Sequence, residues 1–138
     1  MRALGLDVGE KRIGVAMSDS EGILASPLVI LDGSDVQAAF NEISELCNSN
    51  EVESIVVGLP ISMDGSIGKQ AQRVQLFCDG LAKVVTMPID TWDERMSSVQ
   101  ANRSMIAAGT KKNKKKQLRD AIAAAIVLQG YLDRKRSE

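Results

Sequence analysis

Short apolar runs punctuated by glycine occupy the first part of the chain, a pattern typical of β-strands joined by tight turns. Two strands are predicted over Leu4 to Gly9 and Arg12 to Asp19, joined at Gly9-Glu10-Lys11. A third strand is predicted over Ile23 to Leu31, and Pro27 within it favours a bulge or a break, because proline cannot donate a ladder hydrogen bond. The chain is therefore expected to open with three antiparallel strands.

After Ser34 the apolar positions take a helical period and then alternate with strand-like runs. The segment Val36 to Cys47 fits an amphipathic helix with Ser34 or Asp35 as N-cap. Ser54 to Pro60 is almost continuously apolar, as in a strand buried on both faces of a parallel sheet. The remaining predicted elements are a helix over Gly68 to Leu81, a strand over Val84 to Trp92, and helices over Glu94 to Ala108 and Gln117 to Asp133. This order predicts an α/β fold with a five-stranded mixed sheet, three antiparallel strands first and parallel strands after, and helices on both faces.

Length and composition are those of one globular domain. The 138 residues are 44% hydrophobic and 25% charged, enough to bury one core, so a single domain over 1–138 is predicted. The longest apolar run, Ala121 to Leu128, is far shorter than the roughly 20 residues that span a bilayer. Cys47 and Cys78 lack metal-ligand spacing and are interpreted as buried free thiols. We expect a cytoplasmic protein with no membrane partner.

The chain contains no histidine. This excludes Ser-His-Asp and Cys-His nucleophilic catalysis, histidine general-base chemistry and most zinc sites. If the protein is an enzyme, carboxylates, lysine or a hard metal ion must carry the reaction.

The charges are distributed unevenly, although their sum is only −1. Residues 1–94 hold 6 basic and 15 acidic side chains, and residues 95–138 hold 11 basic and 3 acidic ones. This asymmetry favours contact with a polyanion through the second part of the chain. Lys111 to Lys116 is predicted to form a mobile basic loop, which is either solvated surface or a phosphate contact. The candidate nucleic-acid contacts are Lys11, Arg12, Arg95, Lys111, Lys112, Lys114, Lys115 and Lys116.

Three acidic positions stand at the ends of predicted elements. Asp7 interrupts an apolar strand, where a charge is costly to bury unless it binds a cation or is well hydrogen-bonded, so it is a metal or phosphate ligand or a turn cap. Asp93 suits a helix N-cap, whereas Glu94 has no equivalent structural role and follows a strand at its carboxyl end, where sites of α/β sheets gather. Asp120 lies near a helix start and shares a face with Ala123 and Ala124, which allow close packing on the sheet.

Carboxylates from distant positions suit Mg²⁺ or Mn²⁺, hard cations that prefer oxygen ligands. Two such ions can activate a water and stabilise the leaving oxygen in phosphodiester hydrolysis. The acidic positions and the basic second part of the chain together point to a metal-dependent nuclease.

The same residues form a recognisable set of motifs. They are Gly5-Leu6-Asp7-Val8-Gly9 with Lys11-Arg12-Ile13-Gly14-Val15-Ala16, Val57-Gly58-Leu59-Pro60 with Asp64-Gly65-Ser66, Asp93-Glu94-Arg95, and Asp120-Ala121-Ile122-Ala123-Ala124 with Leu128-Gln129. In this order and spacing they closely resemble the YqgF (RuvX) family over nearly the whole chain. Members are bacterial RNase H-like proteins regarded as pre-16S rRNA nucleases and formerly as Holliday junction resolvases.

The resemblance implies an RNase H-like fold and a metal-dependent acidic centre. Its catalytic and metal-binding acids fall on Asp7, Glu94 and Asp120; whether Asp93 or Glu94 is the ligand stays open, and we predict Glu94. The implied activity is processing of the 5′ end of precursor 16S rRNA during ribosome maturation, with Mg²⁺ or Mn²⁺. The expected partners are precursor 16S rRNA first, branched DNA second, and ribosomal precursor particles, with the protein as a monomer or weak homodimer.

Three other functions compete with rRNA processing. A four-way DNA junction resolvase would use the same chemistry and is expected to act as a dimer. A non-catalytic RNA-binding assembly factor would have no reason to keep the acids together. A nucleotide-binding module is suggested because Gly5 to Gly9 also resembles the first phosphate motif of actin-like ATPases, but 138 residues would form only one of their two domains and no Walker A loop is present.

Overall fold

A five-stranded mixed sheet forms the centre of the computed structural model, which describes the backbone of residues 1–96 and 112–138 and the side chains of 1–96 and 119–138. The strands are β1 (Ala3–Val8), β2 (Arg12–Ser18), β3 (Ala25–Asp32), β4 (Ser54–Leu59) and β5 (Ile89–Asp93), in the spatial order β3-β2-β1-β4-β5. The pairs β1–β2 and β2–β3 are antiparallel, and β1–β4 and β4–β5 are parallel. The predicted mixed sheet is confirmed.

The predicted hairpin and bulge are both present. The amide of Gly9 donates to the carbonyl of Arg12 at 2.9 Å and closes the turn between β1 and β2. In the β2–β3 ladder, Val15 faces Val29 while Ala16 faces Pro27, so the register shifts by one residue at the proline. The third strand begins at Ala25, two residues later than predicted.

Two helices cover one face of the sheet. They are α1 (Val36–Ser49) and α2 (Lys69–Leu81). The side chain of Asp35 accepts a hydrogen bond from the amide of Ala38 at 3.1 Å, so Asp35 and not Ser34 is the N-cap of α1. The core on this face contains Leu4, Leu6, Ile13, Val15, Phe40, Ile43, Ile55, Val57, Val74 and Phe77.

The last helix, α3 (Lys112–Arg136), covers the opposite face. It packs through small residues: Ala123 and Ala124 are fully buried, and a Cβ atom added to Gly5 would lie 2.7 Å from Cβ of Leu128. The prediction that these alanines let the helix approach the sheet closely is confirmed. Helices therefore lie on both faces, as predicted.

The predicted basic loop is wrong for residues 112–116, because α3 begins at Lys112 and not at Gln117. Lysine has good intrinsic helix propensity, and repulsion between exposed lysines is screened by salt, so a lysine run can continue a helix. Lys111 lies outside the described residues. The helix also continues past Asp133 to Arg136.

The fifth strand begins at Ile89, five residues later than predicted. Val84 and Val85 donate their amides to the carbonyl of Leu81 and form turns after α2. Their side chains, with Met87, pack against the core beneath α1 and α2. The apolar pattern that predicted a strand here thus belongs to a connecting segment whose side chains are packed against the core. Of the helix predicted over Glu94 to Ala108, the described part is a 3₁₀ turn, Glu94–Met96, and the rest lies outside the described residues.

Both cysteines are free thiols, as predicted, Cys47 buried and Cys78 half-buried. Burial raises the pKa of each thiol to about 11, so both are protonated at neutral pH. No helix within residues 1–96 and 112–138 is both long enough and apolar enough to cross a bilayer.

Candidate active site

A cleft of about 320 Å³ lies where the parallel strands β1, β4 and β5 end. Asp7, Glu94 and Asp120, the three acids predicted to act together, all line it. They come from a strand, a strand end and a helix that are far apart in the sequence. The other lining residues are Val8, Gly9, Gly58, Pro60 and Gln70.

Asp7 is placed by the alternation of β1. Leu6 and Val8 point into the core beneath α1 and α2, so Asp7 faces the opposite side, towards α3. It pairs across the ladder with Gly14 of β2. Asp7 is therefore the one residue of β1 that is only half-buried, and its carboxylate lies on the face of the sheet that α3 covers.

Asp120 is held directly against the sheet. Its main-chain carbonyl lies so close to Gly14 that a Cβ atom there would overlap it. Its carboxylate Oδ2 accepts a hydrogen bond from Nε of Arg12 at 3.0 Å. Two contacts with β2, one to the backbone and one to a side chain, fix this acid beside Asp7.

Glu94 and Asp93 are adjacent in sequence and have different surroundings. A Cβ atom added to Gly58 would lie 2.9 Å from Oε1 of Glu94, so this carboxylate rests over the backbone of β4. Asp93 is instead bound by Arg95, whose amide donates to Oδ1 at 2.9 Å and whose Nη2 donates to Oδ2 at 2.7 Å. Hydrogen bonds from the Arg95 guanidinium hold the pKa of Asp93 below its usual value. Glu94 lines the cleft, and Asp93 acts as the predicted cap.

Arg95 also connects Asp93 to the loop that follows β4. Its Nη1 lies 3.4 Å from the carbonyl oxygen of Ser62. In that loop Asp64 accepts hydrogen bonds from the amide and hydroxyl of Ser66, and the hydroxyl contact is the main reason that the pKa of Asp64 is lowered. Arg95, which is predicted to contact nucleic acid, therefore also joins the end of β5 to the loop after β4.

The other predicted nucleic-acid contacts are spread over two places. Lys11 is exposed in the β1–β2 turn, and Arg12 reaches the cleft through Asp120. The backbone of Lys112, Lys114, Lys115 and Lys116 forms the beginning of α3, but their side chains, like the whole of Lys111, lie outside what the structure describes.

Gln70 lines the cleft and was missed by sequence reasoning. It lies in the first turn of α2, and its Nε2 donates to the carbonyl of Val8 at 3.1 Å. A glutamine at the start of an amphipathic helix is ordinary, so nothing in the sequence singled it out.

The donor types in the cleft fit a hard divalent cation, because carboxylate oxygens are the ligands that Mg²⁺ and Mn²⁺ prefer. Among the described side chains, no three acids, cysteines or histidines converge closely enough to hold one ion as they stand. Ligation by Asp7, Glu94 and Asp120 together would therefore require their carboxylates to move closer to one another.

Comparison with known sequences gives a family for this arrangement. The model of the family described as "RuvX: Holliday junction resolvase" matches residues 1–134. The chain belongs to the RuvX family. A relative in Clostridium acetobutylicum is 44% identical over 96% of this chain and 98% of its own, and one in Desulforamulus reducens is 41% identical over 96% and 97%. Both carry the name "Putative pre-16S rRNA nuclease".

Solved structures resemble this RuvX-family chain over almost its whole length. RuvC of Thermus thermophilus, in complex with a Holliday junction substrate, superposes with a TM-score of 0.62 at 14% identity, covering 99% of this chain and 96% of RuvC. The fowlpox virus resolvase, bound to Holliday junction DNA, gives 0.57 at 10% identity, covering 98% and 99%. These likenesses confirm the predicted RNase H-like fold.

Proposed function

We propose that this RuvX-family chain is a metal-dependent nuclease that processes the 5′ end of precursor 16S rRNA by phosphodiester hydrolysis. The observation that carries the proposal is the convergence of Asp7, Glu94 and Asp120 on one cleft. The names of the Clostridium acetobutylicum and Desulforamulus reducens relatives support the RNA substrate. We place the reaction in the cytoplasm, within one domain over residues 1–138.

In this proposal Asp7, Glu94 and Asp120 hold Mg²⁺ or Mn²⁺, and Asp93 is the alternative to Glu94. When bound there, such an ion would lower the pKa of a water molecule and stabilise the leaving oxygen. Arg12 orients the Asp120 carboxylate, and Gly58 leaves room for Glu94 over β4. The role of the three carboxylates in this proposal is to bind and orient the metal ion, and hydrolysis by this route needs no histidine.

The basic residues hold the nucleic-acid backbone. Lys11 and Arg12 lie on the β2 side of the cleft, and Arg95 lies on the β5 side. The lysines between positions 111 and 116 are included among the proposed phosphate contacts on the basis of their charge. Contacts to phosphates give salt-dependent affinity with little base specificity, so the fit to precursor rRNA, alone or in ribosomal precursor particles, comes from shape. The active form is a monomer or a weak homodimer.

Cleavage of four-way DNA junctions is the second candidate function. The family description names this activity, and the same acids and basic residues would carry it. A non-catalytic RNA-binding factor is disfavoured, because binding alone gives no reason to place three carboxylates in one cleft beside a polyanion.

Parallel cleavage of precursor 16S rRNA and a four-way DNA junction tests the proposal. We expect the wild type with Mg²⁺ or Mn²⁺ to cleave the RNA, and EDTA or Asp7→Asn to abolish cleavage while the circular dichroism spectrum is unchanged. Asp79→Asn, the same substitution at an exposed position of α2, is the matched control and keeps activity. Cleavage of the junction alone would favour the second candidate. Cleavage that persists in Asp7→Asn or in EDTA would contradict the mechanism.

A further inference from the structure

The carboxamide of Gln70 is held at both ends. Its Nε2 donates to the carbonyl of Val8 at 3.1 Å, and its Oε1 accepts from Nη1 of Arg73 at 2.9 Å. The same Nη1 lies 2.8 Å from Oε1 of Glu10. These contacts join the first turn of α2 to the end of β1 and to the turn between β1 and β2.

Arg73 determines which way the Gln70 amide points. A guanidinium has only donors, so it requires the oxygen of the amide and leaves the NH₂ group for a carbonyl. The carbonyl of Val8 needs such a donor, because the ladder between β1 and β4 ends at Leu6 opposite Val57. Gln70 thus continues the hydrogen bonding on this edge of β1 two residues beyond the ladder with β4.

The peptide group between Val8 and Gly9 is hydrogen-bonded on both sides. Gln70 binds its oxygen, and the carbonyl of Arg12 accepts from its amide, on Gly9, at 2.9 Å. Only Val8 separates this peptide group from Asp7. Without the Gln70 anchor the end of β1 is free to shift, and the Asp7 carboxylate would shift with it.

We propose that Gln70 is a positioning residue, which fixes the Val8–Gly9 peptide and through it the Asp7 carboxylate. The inference rests on the proposed function and deepens it. Arg73 orients the Gln70 amide and so affects Asp7 only indirectly, through Gln70. Displacement of a catalytic group by about 1 Å can cost on the order of a hundredfold in rate, so this contact acts on turnover more than on stability.

The stability of the fold depends little on this network. The side chains of Arg73 and Glu10 are 45% and 69% exposed, and exposed ion pairs contribute little to stability. A purely structural role would be detected as a change in melting temperature, and a positioning role as a lower kcat with unchanged KM.

Gln70→Met tests the inference, because methionine is similar in length and shape and makes neither hydrogen bond. With precursor rRNA we expect kcat to fall about tenfold and KM to change less than about twofold. Amide hydrogen exchange of Gly9, measured by NMR, should become about tenfold faster, because its peptide group has lost one of two anchors. Arg73→Met should lower kcat by about threefold, and its effect should not add to that of Gln70→Met.

Gln72→Met is the matched control, the same substitution at an exposed position of the same helix, and it should change neither quantity. Wild-type kcat in Gln70→Met, unchanged Gly9 exchange, or an equal loss in Gln72→Met would each overturn the inference while the nuclease function stands. A wild type that cleaves neither substrate would overturn the proposed function and the inference together.

Discussion

Nε of Arg12 lies 3.0 Å from Oδ2 of Asp120 and joins β2 to α3 across 108 positions of the sequence. One of the three acids in the cleft is thus paired with a residue predicted to contact nucleic acid. The side chain of Arg12 is 54% exposed and that of Asp120 is 22% exposed. Arg12 is therefore the more exposed member of the pair, so its guanidinium has solvent-facing N–H groups that could meet a phosphate while Nε stays on Asp120.

Arg12→Gln is expected to weaken RNA binding and to lower its salt dependence. Each lost phosphate contact reduces the slope of log affinity against log salt by about 0.7 for a single strand. The free energy of unfolding should change by less than about 1 kcal/mol, because the ion pair is partly solvated. Binding titrations at several salt concentrations measure the slope. Arg136→Gln removes a comparable pair with Asp133 at the far end of α3 and should leave the slope unchanged. An equal slope in Arg12→Gln would show that Arg12 serves only the fold.

Substitutions at Asp93 and Glu94 should have opposite effects. Glu94→Gln is expected to abolish cleavage and to leave the melting temperature unchanged, because its carboxylate lines the cleft. Asp93→Ala removes the contacts with Arg95 and should cost about 1 kcal/mol, as loss of a helix cap does, while cleavage persists. Thermal unfolding and cleavage are measured on the same preparations. If Asp93→Ala is inactive and Glu94→Gln is active, Asp93 is the ligand.

Gly14→Ala should destabilise the fold. The new methyl group would overlap the carbonyl of Asp120, so α3 must move away from β2. Overpacking of this kind costs about 1–3 kcal/mol, measured by urea unfolding, and cleavage should also fall because Asp120 moves with the helix. Gly68→Ala is the control: its Cβ would come no closer than 3.9 Å to Oγ of Ser62, and it should cost less than about 1 kcal/mol. Wild-type stability in Gly14→Ala would mean that α3 has room to move.

The pairing of Arg95 with Asp93 predicts a pH-dependent contribution to stability. Because Arg95 holds the pKa of Asp93 below its ordinary value of 3.8, the folded state binds this proton less readily than the unfolded state. The contribution is complete above the ordinary pKa and is lost as the pH falls through the lowered pKa. The stability difference between wild type and Arg95→Gln should therefore be largest near neutral pH and shrink below about pH 4. Urea unfolding at several pH values measures it, and a difference that grows in acid would contradict the pairing.

Replacing the five lysines between positions 111 and 116 by glutamine should weaken RNA binding at least about tenfold at low salt and flatten the salt dependence. Glutamine keeps a similar helix propensity, so the helix content measured by circular dichroism should stay the same. Lys83→Gln combined with Lys135→Gln removes lysines elsewhere on the surface and should have a smaller effect. Unchanged affinity and slope would identify the segment as ordinary solvated surface.

The parts of the fold that follow local rules could be predicted from the sequence. The turn after Gly9 and the irregularity at Pro27 both follow from backbone chemistry, and both are present. The start of β5 could not be predicted, because Val84 and Val85 are apolar for tertiary reasons. The start of α3 was missed because a run of lysines has the same composition in a loop and in a helix.

The grouping of Asp7, Glu94 and Asp120 in one cleft was predictable, since Asp7 and Glu94 stand at the carboxyl ends of strands and Asp120 shares a helix face with small residues that pack on the sheet. The expectation that Asp120 lies near a helix start was wrong, because α3 begins at Lys112. The hydrogen-bond partners of the acids were not predictable. The clamp of Arg95 on Asp93 and the bridge from Arg12 to Asp120 depend on side-chain rotamers. Gln70 depends on the position of α2 beside the end of β1, and single-residue chemistry does not contain that information.

The glycines beneath α3 have a consequence for the dimensions of the cleft. Gly14 presents bare backbone to the main-chain carbonyl of Asp120, and Gly5 presents it to Cβ of Leu128 and the carbonyl of Ala124, so close contacts with the backbone of the sheet set the separation between helix and sheet. Such a contact cannot shorten, and it lengthens with any added methyl group. Because these glycines have no side chains, the distance between Asp120 and Asp7 is already the shortest that the backbone allows. Substitutions beneath the helix can therefore widen the cleft but cannot narrow it.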